Sequence, residues 1–444
     1  MMRLRSGTGL PTLCLLLALV AGCRAGPRAA EHLARNHVFK PASKPVISSP
    51  VAHDFDGDGV KEIAAGSWDG YFYLVDAALD DLPGWPVYSP RGFFSSAALV
   101  DLDGDGVPEI AAGSDAGKLF VWHVDGSQAT GFPVDLDYEL WASPTVLEGP
   151  RIAIGGLEQM FLLDARGQDV DNWPRPIQGW PDATAAYAPR AGGTGLLAVT
   201  TLTPGDPSQG WIYAWQEDGQ LLPGFPVELP MDSDSSPALA DFDGNGQVWI
   251  VAGDDAGWLH VVDTSGQERP GFPVRTSGPR SGPTPTPHPP GGNVYSIEAS
   301  PAVADMDGDG RLEIAAGSWD GHMYLWEDAG QLLPGWPIPV GDQIISSAAL
   351  VDLDGDDRLD LVVGSKDGYL YGWTVAGAPL PGFPYDLGAP VFSSPWVGDL
   401  EGDGRADVVV GADNGIHLLQ DVGPLGELAW PTFHRDAQRT GAVP

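Results

Sequence analysis

The chain has 444 residues, with 60 Asp and Glu against 23 Lys and Arg, giving a net charge of −37. Such a surface excludes nucleic acid as a partner, because phosphate binding needs clustered positive charge. The only cysteines are Cys14 and Cys23, so no disulfide is expected in the mature fold and something else must staple it.

In chain order, the first element is a targeting segment. Arg3 and Arg5 precede an apolar stretch, Leu10 to Val20, that is too short to span a bilayer. Residues 1–22 therefore read as a signal peptide. The next residues, Val20-Ala21-Gly22-Cys23, resemble the lipobox of bacterial lipoproteins. That resemblance implies a lipid on Cys23 and a membrane anchor in the bacterial envelope. Arg24 rather than Asp comes next, which implies the outer membrane where a cell has two. Ordinary secretion, with cleavage nearby, is the alternative. Residues 23–44 read as an N-terminal tether.

The stretch DFDGDGVKE, residues 54–62, packs four carboxylates into nine positions. Carboxylates this close repel, so the cluster needs protons or a cation. Alternating Asp54, Asp56 and Asp58 suit a hard cation with several oxygen ligands, and Gly57 and Gly59 permit a tight loop. An EF-hand would carry its bidentate Glu at position 12, which here is Ala65; the acid sits at position 9, Glu62. The flanks read as short strands, so the loop lies in a β-hairpin.

Three markers then recur along the chain. The acidic loop begins at Asp54, Asp101, Asp241, Asp305, Asp352 and Asp399. A small-residue pair opens a strand upstream, as in Ser48-Ser49-Pro50 and Ser95-Ser96-Ala97. A small–aromatic–Pro triplet occurs eight times, from Gly84-Trp85-Pro86 through Gly179-Trp180-Pro181 to Ala429-Trp430-Pro431. Its spacings are 47, 48, 45, 47, 64, 47 and 47. The long interval holds a Pro/Gly-rich insertion, 276–293, that reads as a surface loop. Each unit reads as four strands, which at this length means propeller blades. The expectation is an all-β single β-propeller of four-stranded antiparallel blades over residues 45–441, with eight blades, or seven and one irregular unit. The tail at 428–441 is expected to supply the last outer strand and help close the ring, against 38–46.

Repeats of the form D-x-D-G-D-G-x-x-[D/E] between two strands resemble the FG-GAP/VCBS class, the calcium-loop propellers of integrin α heads and many bacterial surface proteins. The resemblance covers nearly the whole mature chain. It implies about five structural Ca2+ sites, held by side chains at loop positions 1, 3, 5 and 9 and the carbonyl at 7. Those residues are Asp54, Asp56, Asp58, Val60 and Glu62; Asp101, Asp103, Asp105, Val107 and Glu109; Asp305, Asp307, Asp309, Arg311 and Glu313; Asp352, Asp354, Asp356, Arg358 and Asp360; and Asp399, Glu401, Asp403, Arg405 and Asp407. The fifth blade offers Asp241, Asp243 and Asn245, but Trp249 stands at position 9, so binding there is expected to be weak or lost. The third and fourth blades have no loop. In the seventh, Asp357 replaces the second Gly and must take a positive φ, which Asp tolerates.

A ligand face is expected opposite the calcium loops, on the level of Trp68, Trp211 and Trp319, near the insertion and the 201–211 loop. The functional reading is a binding or adhesion module for a protein or glycan. A polysaccharide lyase or other carbohydrate-active enzyme, and an envelope assembly scaffold, are the alternatives. The nine histidines form no recognised catalytic pair, so no catalytic residue is assigned.

Overall fold

The computed structural model describes residues 36–190, 194–203, 208–276 and 295–443. The signal segment, Cys23 and insertion residues 277–293 lie outside them.

Eight antiparallel sheets succeed one another around a ring, each with four strands of its own. The described residues contain no helix. Blade one is typical: Val51–His53 inside, then Glu62–Gly66, Tyr71–Val75 and, outermost, Val87–Tyr88. All five residues of Glu62–Gly66 are buried. Each blade is covered on both faces by its neighbours, so the first and second strands are almost wholly buried and partly exposed positions collect in the third and outer strands. The triplet aromatics fill the seams between blades. Trp85 of blade one packs edge-on to Trp122 of blade two, 5.9 Å between centroids, and donates Nε1–H to the Val124 carbonyl at 2.7 Å. Gly84 ahead of it has φ +93°, and a Cβ there would sit 2.1 Å from the Asp125 carbonyl oxygen. The small–aromatic–Pro triplet is thus an inter-blade contact.

The small-residue pair counts the blades. The second member of each pair donates its backbone N–H to the hydroxyl of the equivalent residue one blade on. The chain runs Ser49 to Ser96 to Ser143 to Thr184 to Ser236 to Ser300 to Ser347 to Ser394, and Ser394 N–H returns to Ser49 Oγ. All eight bonds are 2.8–3.1 Å long and buried. A closed circle of eight settles the blade number at eight rather than seven. The first member of the pair often ties its own blade: Gly113 N–H donates to Ser95 Oγ and Gly411 N–H to Ser393 Oγ.

Three expectations are corrected. The third triplet in register is Asn172-Trp173-Pro174, ahead of the outer strand Arg175–Pro176, and not Gly179-Trp180-Pro181. Second, the outer strand of blade eight comes from the front of the chain. Asn36–Pro41, placed in the tether by sequence, pairs antiparallel with Gly415–Pro424. Third, the tail supplies no outer strand. Leu428–Trp430 pairs instead with the inner strand of blade seven, Ala349–Val351.

From there the tail crosses the central channel. Inner strands of a propeller leave a ring of unpaired N–H groups on the channel, and a buried unpaired N–H is costly. The tail's carbonyls meet them. Val397 N–H donates to the Pro431 carbonyl, Leu99 to Ala437, Val146 to Gln438, Tyr187 to Thr440 and Leu239 to Gly441, all at 2.7–2.9 Å. Arg439 pins this plug and is fully buried. Its Nε–H donates to the Ala97 carbonyl at 2.8 Å, and its Nη1 to the Phe433 carbonyl at 2.6 Å and Thr432 Oγ1 at 3.0 Å. Burial pulls its pKa down to about 9, with Asp436 acting against that, so it is charged at neutral pH.

Candidate functional site

Each inner strand is entered at the serine circle and left at the loop to the second strand, where the acidic motif sits, so the two ends of the channel differ in chemistry. At the loop end, the position-1 Asp organises the turn. Asp54 accepts N–H from Gly57 at 2.7 Å and Gly59 at 3.0 Å, and Glu62 accepts from Phe55 at 2.9 Å. The same pattern holds in the other four complete loops, with the position-9 acid taking the N–H of position 2: Glu109 from Leu102, Glu313 from Met306, Asp360 from Leu353 and Asp407 from Leu400. In blade seven, Asp357 has φ +64°. In blade eight, Glu401 accepts from Gln420 Nε2 at 2.6 Å.

These loops fit a hard cation. Carboxylate oxygens of Asp54, Asp56 and Asp58 lie within 4.8 Å of one another, as do those of Asp101, Asp103 and Asp105, of Asp305, Asp307 and Glu313, and of Asp352, Asp354 and Asp356. Glu313 is 1% exposed, and its Oε1 has no hydrogen-bond partner. Such a buried, unsatisfied carboxylate oxygen is costly unless a cation sits against it. Burial, with neighbouring Asp charges, pushes Glu313 up to about 8 and Asp360 to about 7 when no cation is bound. Ca2+ would be held there by positions 1, 3, 5 and 9 and the position-7 carbonyl.

Blade five solves the same problem differently. Its Asp241 still accepts N–H from Gly246 at 2.6 Å. The charge, however, is met by Arg269, whose Nη1 and Nη2 donate to Asp243 at 2.9 and 2.8 Å. The guanidinium lies over Trp249, 4.9 Å from its centroid, where the other loops have their ninth-position acid. A fixed guanidinium stands in for the metal, and no ligand set for calcium is left.

At the serine end lies a cavity of about 550 Å³, open at its mouth and floored by Phe433 of the plug. Trp68 and Trp319, both expected on the ligand face, line it. Trp211 does not. It lies in the strand Gln209–Gln216, opposite Glu228, and packs on the core between blades three and four. Of the 201–211 loop, 204–207 are outside the described residues; 201–203 and 209–211 extend a hairpin.

The cavity wall obeys a rule that sequence reading missed. Two residues before each member of the serine circle is a side chain that faces the cavity. In blades seven, eight, one, two and three it is Ile345, Phe392, Ile47, Phe94 and Trp141. In blades four, five and six it is Asp182, Asp234 and Glu298. Burial pushes Asp182 and Glu298 up to about 7, and burial with Asp255 and Glu298 nearby raises Asp234 well above the usual carboxylate range. Trp141, 40% exposed, stacks on Phe94 at 5.1 Å and 17°. The signal was in the sequence as a fixed offset from the Ser pair, but only the hydrogen-bonded circle turns that offset into one level of one cavity.

Comparison with known proteins bears on the fold. Residues 305–363, the acidic-loop unit of blade six with the start of blade seven, match the FG-GAP-like repeat family. Together with the eight-bladed ring, this makes the chain a β-propeller carrying an FG-GAP-like repeat. A search of curated protein sequences finds no match. Solved structures of similar shape include Sqt1 of Saccharomyces cerevisiae, at 14% identity and TM-score 0.63, covering 89% of this chain and 99% of that one. The computationally designed Ika8 protein is similar at 15% identity and TM-score 0.53, covering 86% and 98%. BBS1N, in its complex with ARL6DN, is similar at 10% identity and TM-score 0.50, covering 90% and 100%. At such identities these likenesses speak for the fold alone.

Proposed function

We propose that this is a calcium-stabilised binding propeller of the bacterial envelope, anchored by a lipid on Cys23, that takes a protein or glycan ligand at the serine end of its channel. The observation that carries the reading is the cavity. It is within the volume range of ligand sites and combines aromatic faces with a few convergent polar groups. The plug supports it further, since a channel blocked at its floor makes a pocket rather than a pore. Calcium belongs to the opposite end and has a structural role. The loops fill their own ligand positions and do the stapling that disulfides would do elsewhere.

One observation favours a second reading. Asp182 and Glu298, held near 7, are the kind of carboxyls a carbohydrate-active enzyme uses as general acid and base. A single experiment separates the two. The purified protein is incubated in millimolar calcium with a panel of cell-surface and plant polysaccharides, and separately with envelope protein extract. Retention and new chain ends are then read. Retention that Trp141→Ala weakens supports the binding reading. New chain ends that disappear in Glu298→Gln make it an enzyme. No retention of any polysaccharide or envelope protein removes the proposal. Labelling with a clickable fatty acid, lost in Cys23→Ser, tests the anchor.

A further inference from the structure

The wall of the cavity is two-sided, and that selects a ligand chemistry. Five consecutive blades present hydrocarbon or aromatic surface at one level; the next three present carboxyls. Among the described residues, neither Asp182 nor Asp234 accepts a hydrogen bond, although both are partly buried and line the cavity. Asp255 and Asp232 add charge of the same sign near Asp234, and Glu139 does so near Asp182. Asp255 is held by Ser296 Oγ at 2.6 Å, whereas Asp232 Oδ1 is buried without a partner. Among the described residues, the one cationic side chain lining the cavity is Lys366 of blade seven. It is already used, donating to Gln343 Oε1 at 2.7 Å and lying 5.8 and 5.5 Å from the Trp319 and Phe392 rings.

We infer that the cavity takes an organic cation with an apolar flank, its ammonium or guanidinium group against Asp182, Asp234 and Glu298 and its hydrocarbon side against Trp141, Phe94 and Phe392. The inference rests on the proposed binding role of the cavity and gives its ligand class. Unpaired carboxylates in an enclosed site gain most from a cation that displaces water from them. Aromatic faces hold the flank and add cation–π attraction where the charge overlies a ring. A bare metal ion would leave the apolar half unused, an anionic glycan would be repelled by the carboxyls, and a neutral glycan could donate hydroxyl hydrogen bonds to them but would bring no charge to offset theirs. An Arg or Lys side chain beside an aromatic residue in a peptide has this chemistry, and so has a free arylalkyl amine.

The test uses the purified protein in millimolar calcium and reads tryptophan fluorescence and titration heat. The probes are N-acetyl-Phe-Arg-Phe amide, its uncharged isostere N-acetyl-Phe-citrulline-Phe amide, and phenethylamine. The expected result is that the arginine peptide binds at least about tenfold more tightly than the citrulline peptide, the cost of leaving buried carboxylates unpaired. In Asp234→Asn/Glu298→Gln that preference disappears, while Trp141→Ala weakens both peptides alike. A calcium-dependent melt like that of the parent confirms that each variant is folded. Binding of phenethylamine without the peptide keeps the cation and overturns a peptide source. Equal binding of the two peptides keeps the cavity as a binding site and overturns the cation. No binding of either cation overturns the inference.

Discussion

Replacing Arg439 by Leu keeps most of the side-chain volume and removes the charge and every donor. Three bonds of 3.0 Å or less are lost, to Ala97, Phe433 and Thr432. Hydrogen bonds from a charged group contribute about 1.5–3 kcal/mol each, so the gross loss is roughly 5–9 kcal/mol. Against this stands the desolvation of a fully buried guanidinium, several kcal/mol, which the variant no longer incurs. The net destabilisation is therefore about 2–5 kcal/mol. For a chain of this size each kcal/mol moves the melting temperature by roughly 1 °C, so the expected fall is about 2–6 °C. The damage should also be local. Leu99, Val146, Tyr187 and Leu239 donate to the tail on either side of Arg439. Their amides should exchange faster by hydrogen–deuterium exchange, while Ala111 and Val251 in the second strands stay protected. Arg439→Lys should recover only part of the loss, because one ammonium cannot span the same acceptors. A melt within about 1 °C of the parent, with unchanged exchange at those four amides, would refute the view of the tail as a pinned plug.

Three further outcomes are expected. Chelation by EDTA should lower the melting temperature strongly. At millimolar calcium each extracellular-type site contributes about 1–2 kcal/mol, and five of them amount to several; an unchanged melt would show that the loops hold no metal. Calcium stoichiometry should fall by one in Asp305→Asn and stay unchanged in Asp241→Asn, since Arg269 serves blade five; equal losses would sink the substitution of guanidinium for metal. Binding of N-acetyl-Phe-Arg-Phe amide, whose charge does not change over the range, should tighten as pH rises from 6 to 8. Asp182 and Glu298 are raised to about 7 in the folded protein, so they ionise across that window and their attraction is lost as pH falls through it. Asp232, Asp255 and Glu139 add negative charge around them, and Lys366 and the Trp319 N–H oppose it at Glu298. A flat affinity over that range would mean that these carboxyls do not meet the ligand.

The sequence by itself determined whatever is written locally and repeated. The acidic loops were legible because a position-1 Asp that accepts the N–H groups of its own loop needs only nine residues to work. The triplets and the small pairs announced the blades, because every blade must make the same seam contact and the same link to the next. Tertiary structure decided what depends on closure. The Ala-Trp-Pro of the tail, Ala429 to Pro431, reads like another outer-strand triplet. Yet the outer place in blade eight is taken by Asn36–Pro41, and the tail goes where eight inner strands leave N–H groups to be met. Arg269 reads as an ordinary surface charge until folding lays it over Trp249, where a carboxylate and a cation are both missing. The division of the cavity wall into five apolar blades and three acidic ones likewise exists only once the circle from Ser49 to Ser394 is closed. Residues dozens of positions apart then stand at one level, and their charges act on one another and on whatever enters between them.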